Sequence, residues 1–456
     1  MVAAVGFLMI IIIVALLLKG KMSPIVVLVV VPAIAALILG HNPIAVADMI
    51  KDGVKTTTNN GILFIFSVIY FGVLSDTGLF DIIVDWLVKR AGSNVIAVTV
   101  ATAIIATIAH LDGTTATTVL ITIPALYPVY KRMKIDPKIL LCITGACMGV
   151  MNLLPWGGPT ARAATVLEMD ANELWHILIP VQIIGMILNI TLAVLLGMLA
   201  IKQGAGKGAG VEVAVDKKAE AEADALRKKG PFLVFNLILT VAVIAILSMG
   251  LATSYVVFMA ALCILLAVNY PNQKLQDKLI KKHAPAALII SATLFAAGAM
   301  VGVFDGTGML TEMANAIMGI IPAALGKFIH VIFGILALPL GLCIGTDAYF
   351  YGIMPLVMQV GETYGVASLS TAVAMIIGKN IALMVSPLVP ATFLAIGLTG
   401  TELKDQMKFS IPPYYLISVI TVIISVILGI IPVDGCSHRA AYSQRYGLRH
   451  KGGQSQ

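Results

Sequence analysis

Two carboxylates lie where charge is scarce. The run His110-Leu111-Asp112-Gly113-Thr114-Thr115 sets an acid, an imidazole and two hydroxyls between apolar stretches, and Gly345-Thr346-Asp347 is its counterpart in the second half. An uncompensated Asp in hydrocarbon costs roughly 3 kcal/mol on insertion scales, so each must face protein, water or a bound ion. Carboxylate, hydroxyl and carbonyl oxygens suit a hard cation such as magnesium, calcium or sodium, and a buried carboxylate also suits a transferable proton. Asp112 and Asp347 are therefore the candidate proton or metal groups, with His110 a candidate member of the proton path. The competing role is a helix cap, because Asp and Thr both satisfy the first amides of a helix. Thr114, Thr115 and Thr346 divide evenly between ligand contact and bonding to their own backbone.

Two cations lie near the breaks in the apolar pattern. Arg162 comes three residues after the break Leu154-Pro155-Trp156-Gly157-Gly158-Pro159. Lys379 sits about 20 Å into an apolar segment that begins near Val366. A guanidinium fork recognises a carboxylate with two bonds, so Arg162 reads as a substrate contact, the alternative being an ion pair with Asp112 or Asp347. Lys379 divides evenly between those roles. Gly157 and Gly158 let backbone approach a ligand, or simply make a tight turn between prolines. Thr160 restarts the segment, and Asn152 and Asn380 offer amides at the two breaks.

The elements that position these residues are helices in a membrane. Hydrophobic residues make up 59% of the chain and charged ones 12%, with mean hydropathy +1.00. A soluble domain carries about twice that charge. The apolar runs are continuous rather than alternating, which excludes a β-barrel and predicts an all-α polytopic membrane protein. Residues 2–18 form a first span rather than a signal peptide, because the first lysines follow the apolar run. Further spans are expected over 24–40, 61–74 and 177–201, with a polar piece at 44–55 and an interfacial helix at 79–90. The stretch 95–130 breaks at Asp112-Gly113 into arms of about 15 residues. Each is too short for a core of roughly 30 Å, so a re-entrant hairpin is expected. Residues 139–153 form a helix that breaks and restarts at Thr160. Cys142, Cys147, Cys263, Cys343 and Cys436 show no metal spacing and read as packing residues.

The second half repeats the first. Ser23 matches Ser254, Pro124 matches Pro355 and Pro159 matches Pro390, each 231 residues on. The run around Gly72 matches that around Gly302 at an offset of 230. Arg162 and Lys379 have no charged partner at that spacing, only Phe393 and Met148, which sets them apart as substrate candidates. Each repeat holds five crossings, a hairpin and a broken helix. Five is odd, so the second copy is inverted. The domains are then 1–201, a cytoplasmic linker at 202–230, 231–433, and a polar tail at 434–456. With the linker inside, and the basic tail after Pro432 left aside, fourteen Lys and Arg fall in inside loops against Lys51, Lys55 and Lys327 outside. That positive-inside bias places both termini outside a cell membrane. The net charge of +7 is thus a topology signal rather than a nucleic-acid one.

Inverted repeats with paired breaks mark a secondary transporter whose substrate sits at the midplane. No Ser/His, HExxH or GxGD-like set suggests an enzyme, and a channel does not need opposed hairpins. An inorganic ion/proton antiporter on the same plan remains an alternative. The residues His110-Leu111-Asp112-Gly113, Leu126 to Lys131 (LYPVYK) and Asn152 to Arg162 (NLLPWGGPTAR) resemble the citrate–divalent metal:proton symporter family, CitMHS. The resemblance covers the whole chain. It implies proton-coupled uptake of citrate, or a related tricarboxylate, complexed with a divalent cation that is cargo rather than a permanently bound cofactor. It further implies a homodimer in the lipid bilayer with a fixed scaffold and a mobile part moving elevator-fashion. A sodium-coupled di- or tricarboxylate carrier of the same superfamily is the near alternative.

Overall fold

The computed structural model describes residues 1–19, 22–206, 226–318, 323–344, 346–386 and 389–432. Gly345 of the second hairpin tip, part of the Ser386 to Pro390 break, most of the expected linker and the whole tail with Cys436 lie outside the described residues. Within them every regular element is helical.

The helix starts are written in local chemistry. α1 spans Val2–Lys19 and α2 Pro24–Ile38, the latter opened by a proline that needs no amide partner. Side chains of Asn42, Asn94, Asp136 and Asp170 cap α3 (Pro43–Asp76), α5 (Val95–Ala109), α7 (Pro137–Met151) and α9 (Ala171–Lys202). Between them lie α4 (Leu79–Ala91), α6 (Thr115–Arg132) and α8 (Gly158–Val166). The second half runs through α10 (Pro231–Ser248), α11 (Ser254–Asn269), α12 (Gln273–Thr307), α13 (Met309–Met318) and α14 (Ala323–Gly326). It continues with α15 (Ile329–Ile344), α16 (Met354–Thr363), α17 (Ser368–Lys379), α18 (Pro390–Thr399) and α19 (Leu403–Ile427). Six of the described helices are long and apolar enough to cross a membrane: α3, α5 with its terminal turn, α9, α10, α12 and α19.

One expectation changes. The polar piece at 44–55 and the span at 61–74 are a single 34-residue helix, α3. The Thr56 hydroxyl donates to the Gly53 carbonyl, and those of Thr57 and Thr58 to Val54, at 2.8 to 3.1 Å. The threonine run between the two expected pieces is therefore satisfied by its own helix and stays helical.

Starts recur through the chain. α2, α3 and α4 begin at 24, 43 and 79, and α11, α12 and α13 at 254, 273 and 309. α7, α8 and α9 begin at 137, 158 and 171, and α17, α18 and α19 at 368, 390 and 403. The spacing stays at 230 to 232 residues. Both α3–α4 and α12–α13 turn on a Thr-Gly pair, with Gly78 at φ +78° and Gly308 at +67°. The centre of the molecule is the long contact between α3 and α12. There, a Cβ on Gly53 would strike the Gly298 carbonyl, and one on Gly302 the Met49 carbonyl. Small residues at these points let the two backbones touch, as helix packing in lipid requires. α3 also crosses α11, and α12 crosses α2.

Candidate functional site

α5 and α6 pack on each other and meet in one 3-10 turn, His110–Asp112. Gly113 then reverses the chain at φ +70°, where a side chain would also meet the Trp156 carbonyl at 2.8 Å. Position 113 therefore excludes a Cβ twice over. Asp112 is 4% exposed. One carboxylate oxygen accepts from the Thr114 amide at 2.8 Å and the other from the Thr114 hydroxyl at 2.6 Å. The Thr117 hydroxyl lies 2.7 Å from that of Thr114. Thr115 opens α6, half-buried.

His110 sits beneath this tip. The Thr118 hydroxyl donates to the Thr114 carbonyl at 3.0 Å, so its oxygen accepts from His110 Nδ1 at 2.6 Å. That assigns the proton to Nδ1 and leaves Nε2 a buried lone pair without a partner. The Asn152 side chain faces the ring, with its own Nδ2 also unpartnered. Asn152 ends α7, and its carbonyl takes the Thr160 hydroxyl at 2.9 Å. Trp156 ties the break to the tip, its indole N–H donating to the Leu111 carbonyl at 2.6 Å. Its ring lies 5.3 Å from that of Phe71 on α3 and 4.9 Å from that of Phe258 on α11, edge-on to the latter.

The second tip is built differently. α15 leads through Thr346 and Asp347 into a π-helical turn, Ala348–Ile353, and then α16. Arg162 on α8 reaches it, with Nε 2.7 Å from Asp347 Oδ1. Of the two roles open to Arg162, the ion pair with Asp347 is present. The guanidinium lies against Gly158, where a Cβ would meet Nη1 at 2.8 Å, while Gly157 closes the turn over the Asn152 carbonyl. Lys379 ends α17, at the negative end of that helix. Its ammonium donates to the Thr346 hydroxyl at 2.9 Å and stands 4.9 Å above the Phe350 ring and 5.8 Å from that of Tyr349. Its stem crosses Gly341, where a Cβ would come within 2.6 Å of Cγ.

The structure thus divides the candidates into two clusters. Asp112, His110, Thr114, Asn152 and Thr160 surround the first tip, and Arg162, Thr346, Asp347 and Lys379 the second. Lys379 bonds to Thr346, the neighbour of Asp347 in sequence, whereas Asp112 bonds to Thr114 at its own tip. Asn380 joins neither cluster. It lines a small cavity with Gly149, Gly185 and Thr421, both amide atoms unpartnered. Among the described residues no three His, Cys, Asp or Glu side chains converge on one point, so Asp112 and Asp347 each offer a single carboxylate.

Three features escaped the sequence reading. The Tyr351 hydroxyl is fully buried, unpartnered and within electrostatic reach of Arg162 and Asp347. Asp347 and Tyr351 stand four apart in helical sequence, a spacing that brings them to one face. The tie from Trp156 to Leu111 joins residues 45 apart and leaves no local signal. On α12, Lys282 and His283 hold Asp76 at 2.6 and 2.8 Å, joining the two halves.

Comparison with known proteins settles the family. The family model described as "Citrate transporter" (CitMHS) matches residues 4–378. The chain belongs to the citrate transporter family. It is 35% identical to a Bacillus subtilis (strain 168) "Citrate transporter" over 94% of this chain and all of that one. It is 36% identical to the same organism's "Mg(2+)/citrate complex secondary transporter" over 95% of this chain and all of the relative. Among solved structures, the Alcanivorax borkumensis YdaH transporter, described as having an unusual topology, superposes with a TM-score of 0.59. At 15% identity over 83% of this chain and 86% of the other, that likeness speaks for the fold alone. The citrate transporter family thus supplies what the geometry could not, the class of activity: a multi-pass secondary transporter of citrate.

Proposed function

We propose that this transporter carries citrate complexed with a divalent metal, of magnesium or calcium type, in symport with protons. The observation that carries the proposal is the difference between the partners of the two acids. Asp347 is matched by Arg162 at 2.7 Å beside a second cation, Lys379, a setting for an anionic cargo. Asp112 is held only by hydroxyls and an amide, which leaves it free to take a proton. Metal reaches the site as part of the cargo, in keeping with the relative named for a Mg(2+)/citrate complex. Tyr351 offers a further hydroxyl to a cargo oxygen.

Two inverted repeats of five crossings would place the tips on opposite sides of the bilayer. The recurring helix starts and the bias of basic residues support that arrangement. The central linker then lies in the cytoplasm and both termini outside. Elevator motion and a homodimer complete the proposal by family resemblance. One proton balances a singly negative complex, and each further proton makes transport sensitive to membrane potential, at about 2.3 kcal/mol per uncompensated charge per 100 mV. The test is uptake of labelled citrate by proteoliposomes across a panel of divalent metals, with and without a pH gradient. Uptake is expected to require both metal and gradient. Uptake that ignores EDTA and demands sodium would instead indicate a sodium-coupled carrier.

A further inference from the structure

The cluster at the second tip carries an imbalance of charge. Arg162 and Asp347 form a pair at 2.7 Å, their side chains 20% and 23% exposed, and their charges cancel. Among the described residues Lys379 is left over, with no carboxylate in ion-pair contact. The whole residue is 3% exposed, its hydrogen bond goes to an uncharged hydroxyl, and its other neighbours are aromatic rings. Asp347, the neighbour of Thr346 in sequence, is already matched by Arg162. Asp112, the other deep acid, has its own separate surroundings. A buried charge is costly unless a partner compensates it.

We infer that this cluster selects its cargo by net charge, and that Lys379 is the residue that sets the selection to a single negative charge. The inference rests on the cargo proposed above. Fully ionised citrate holding one divalent cation carries one net negative charge, so the loaded site sums to zero. Metal-free citrate would leave surplus negative charge in the same volume, and a neutral ligand would leave Lys379 unmatched. Selection for the complex over the free acid then needs no metal ligand from the protein. The Phe350 and Tyr349 rings hold the ammonium in place before the cargo arrives. Gly341 supplies the room for its stem. In the first repeat the corresponding position is Met148, so the selection belongs to one tip alone.

Net charge can be moved in both directions and then restored. Lys379→Met leaves the cluster neutral. Asp347→Asn leaves it doubly positive. The double variant, Asp347→Asn with Lys379→Met, retains Arg162 alone and returns it to a single positive charge. Equilibrium binding of labelled citrate to purified protein, with magnesium and with EDTA, reads the preference directly. Thermal unfolding of each variant confirms that it is folded. The wild type is expected to prefer the magnesium complex. Lys379→Met should weaken binding of the complex by about thirtyfold or more, as expected when one partner of a buried charge pairing is removed. Asp347→Asn should shift the preference toward metal-free citrate, and the double variant should regain preference for the complex. A folded Lys379→Met that keeps wild-type affinity, or a folded double variant that does not regain the preference, overturns the inference. A wild type that binds citrate equally well in EDTA overturns the cargo assignment itself.

Discussion

The two hairpin tips occupy corresponding places in the two halves and are built on opposite principles. The first turns through a 3-10 helix and a left-handed glycine, and its acid accepts from the hydroxyl and amide of Thr114, two residues on. The second turns through a π-helical segment, and its acid is matched by an arginine 185 residues away in the other half. A carboxylate held by hydroxyls can change its protonation without breaking an ion pair. One held by a guanidinium cannot, because removing its charge strands a buried cation. The two tips have unlike partners, and on the function proposed here those partners divide the work between them.

The comparison predicts unequal responses to substitution. Removing the fork by Arg162→Ala should have the largest effect: loss of citrate binding, and a stability loss of about 2 kcal/mol or more measured by thermal unfolding, because Asp347 is left unmatched. Retained citrate affinity in that variant would break the assignment of cargo to the second tip. At the first tip, Gly113→Ala forces a side chain into φ +70° against the Trp156 carbonyl. The left-handed conformation alone costs roughly 1–2 kcal/mol. The expected result is a lower unfolding temperature and impaired proton coupling. Asn, which tolerates that conformation better, should recover less than glycine because its Cβ still meets Trp156.

A smaller effect is expected from Trp156→Phe. The ring contacts with Phe71 and Phe258 survive in large part, but the Leu111 carbonyl loses its donor, at a cost of about 1 kcal/mol. The pH dependence of uptake should move while the affinity of the second tip for citrate stays put. Equal changes in both would mean that Trp156 supports the whole fold rather than one tip.

Much of this was legible in the sequence, and what was not has physical reasons. Helix spans were read from apolar runs, and the caps Asn42, Asn94, Asp136 and Asp170, although local bonds between neighbours, were not used. The first tip could be read from Asp112-Gly113, since an acid and a glycine inside an apolar run break the helix there. The continuity of α3 was hidden because the polar run Thr56 to Asn60 separates the piece at 44–55 from the apolar span at 61–74, until the threonines are seen to bond their own turn. The pairing of Arg162 with Asp347 was one of two options that composition left open, and distance along the chain could not choose. Asn152 and Asn380 both offered amides at the breaks, yet one faces His110 and the other a separate cavity. Side-chain direction depends on which face of each helix is covered, and that is decided by tertiary packing.

The division between the tips is tested most directly by Asp112→Asn. Asparagine can still accept from the Thr114 amide, so the tip should keep its fold. In proteoliposomes, exchange of labelled metal–citrate for unlabelled measures cargo binding and movement without a net proton flux, and accumulation against a pH gradient measures coupling. The variant is expected to exchange at near wild-type rate and to lose gradient-driven accumulation. Accumulation that keeps the wild-type pH dependence would contradict the account, and so would an exchange activity that vanishes in a stably folded protein.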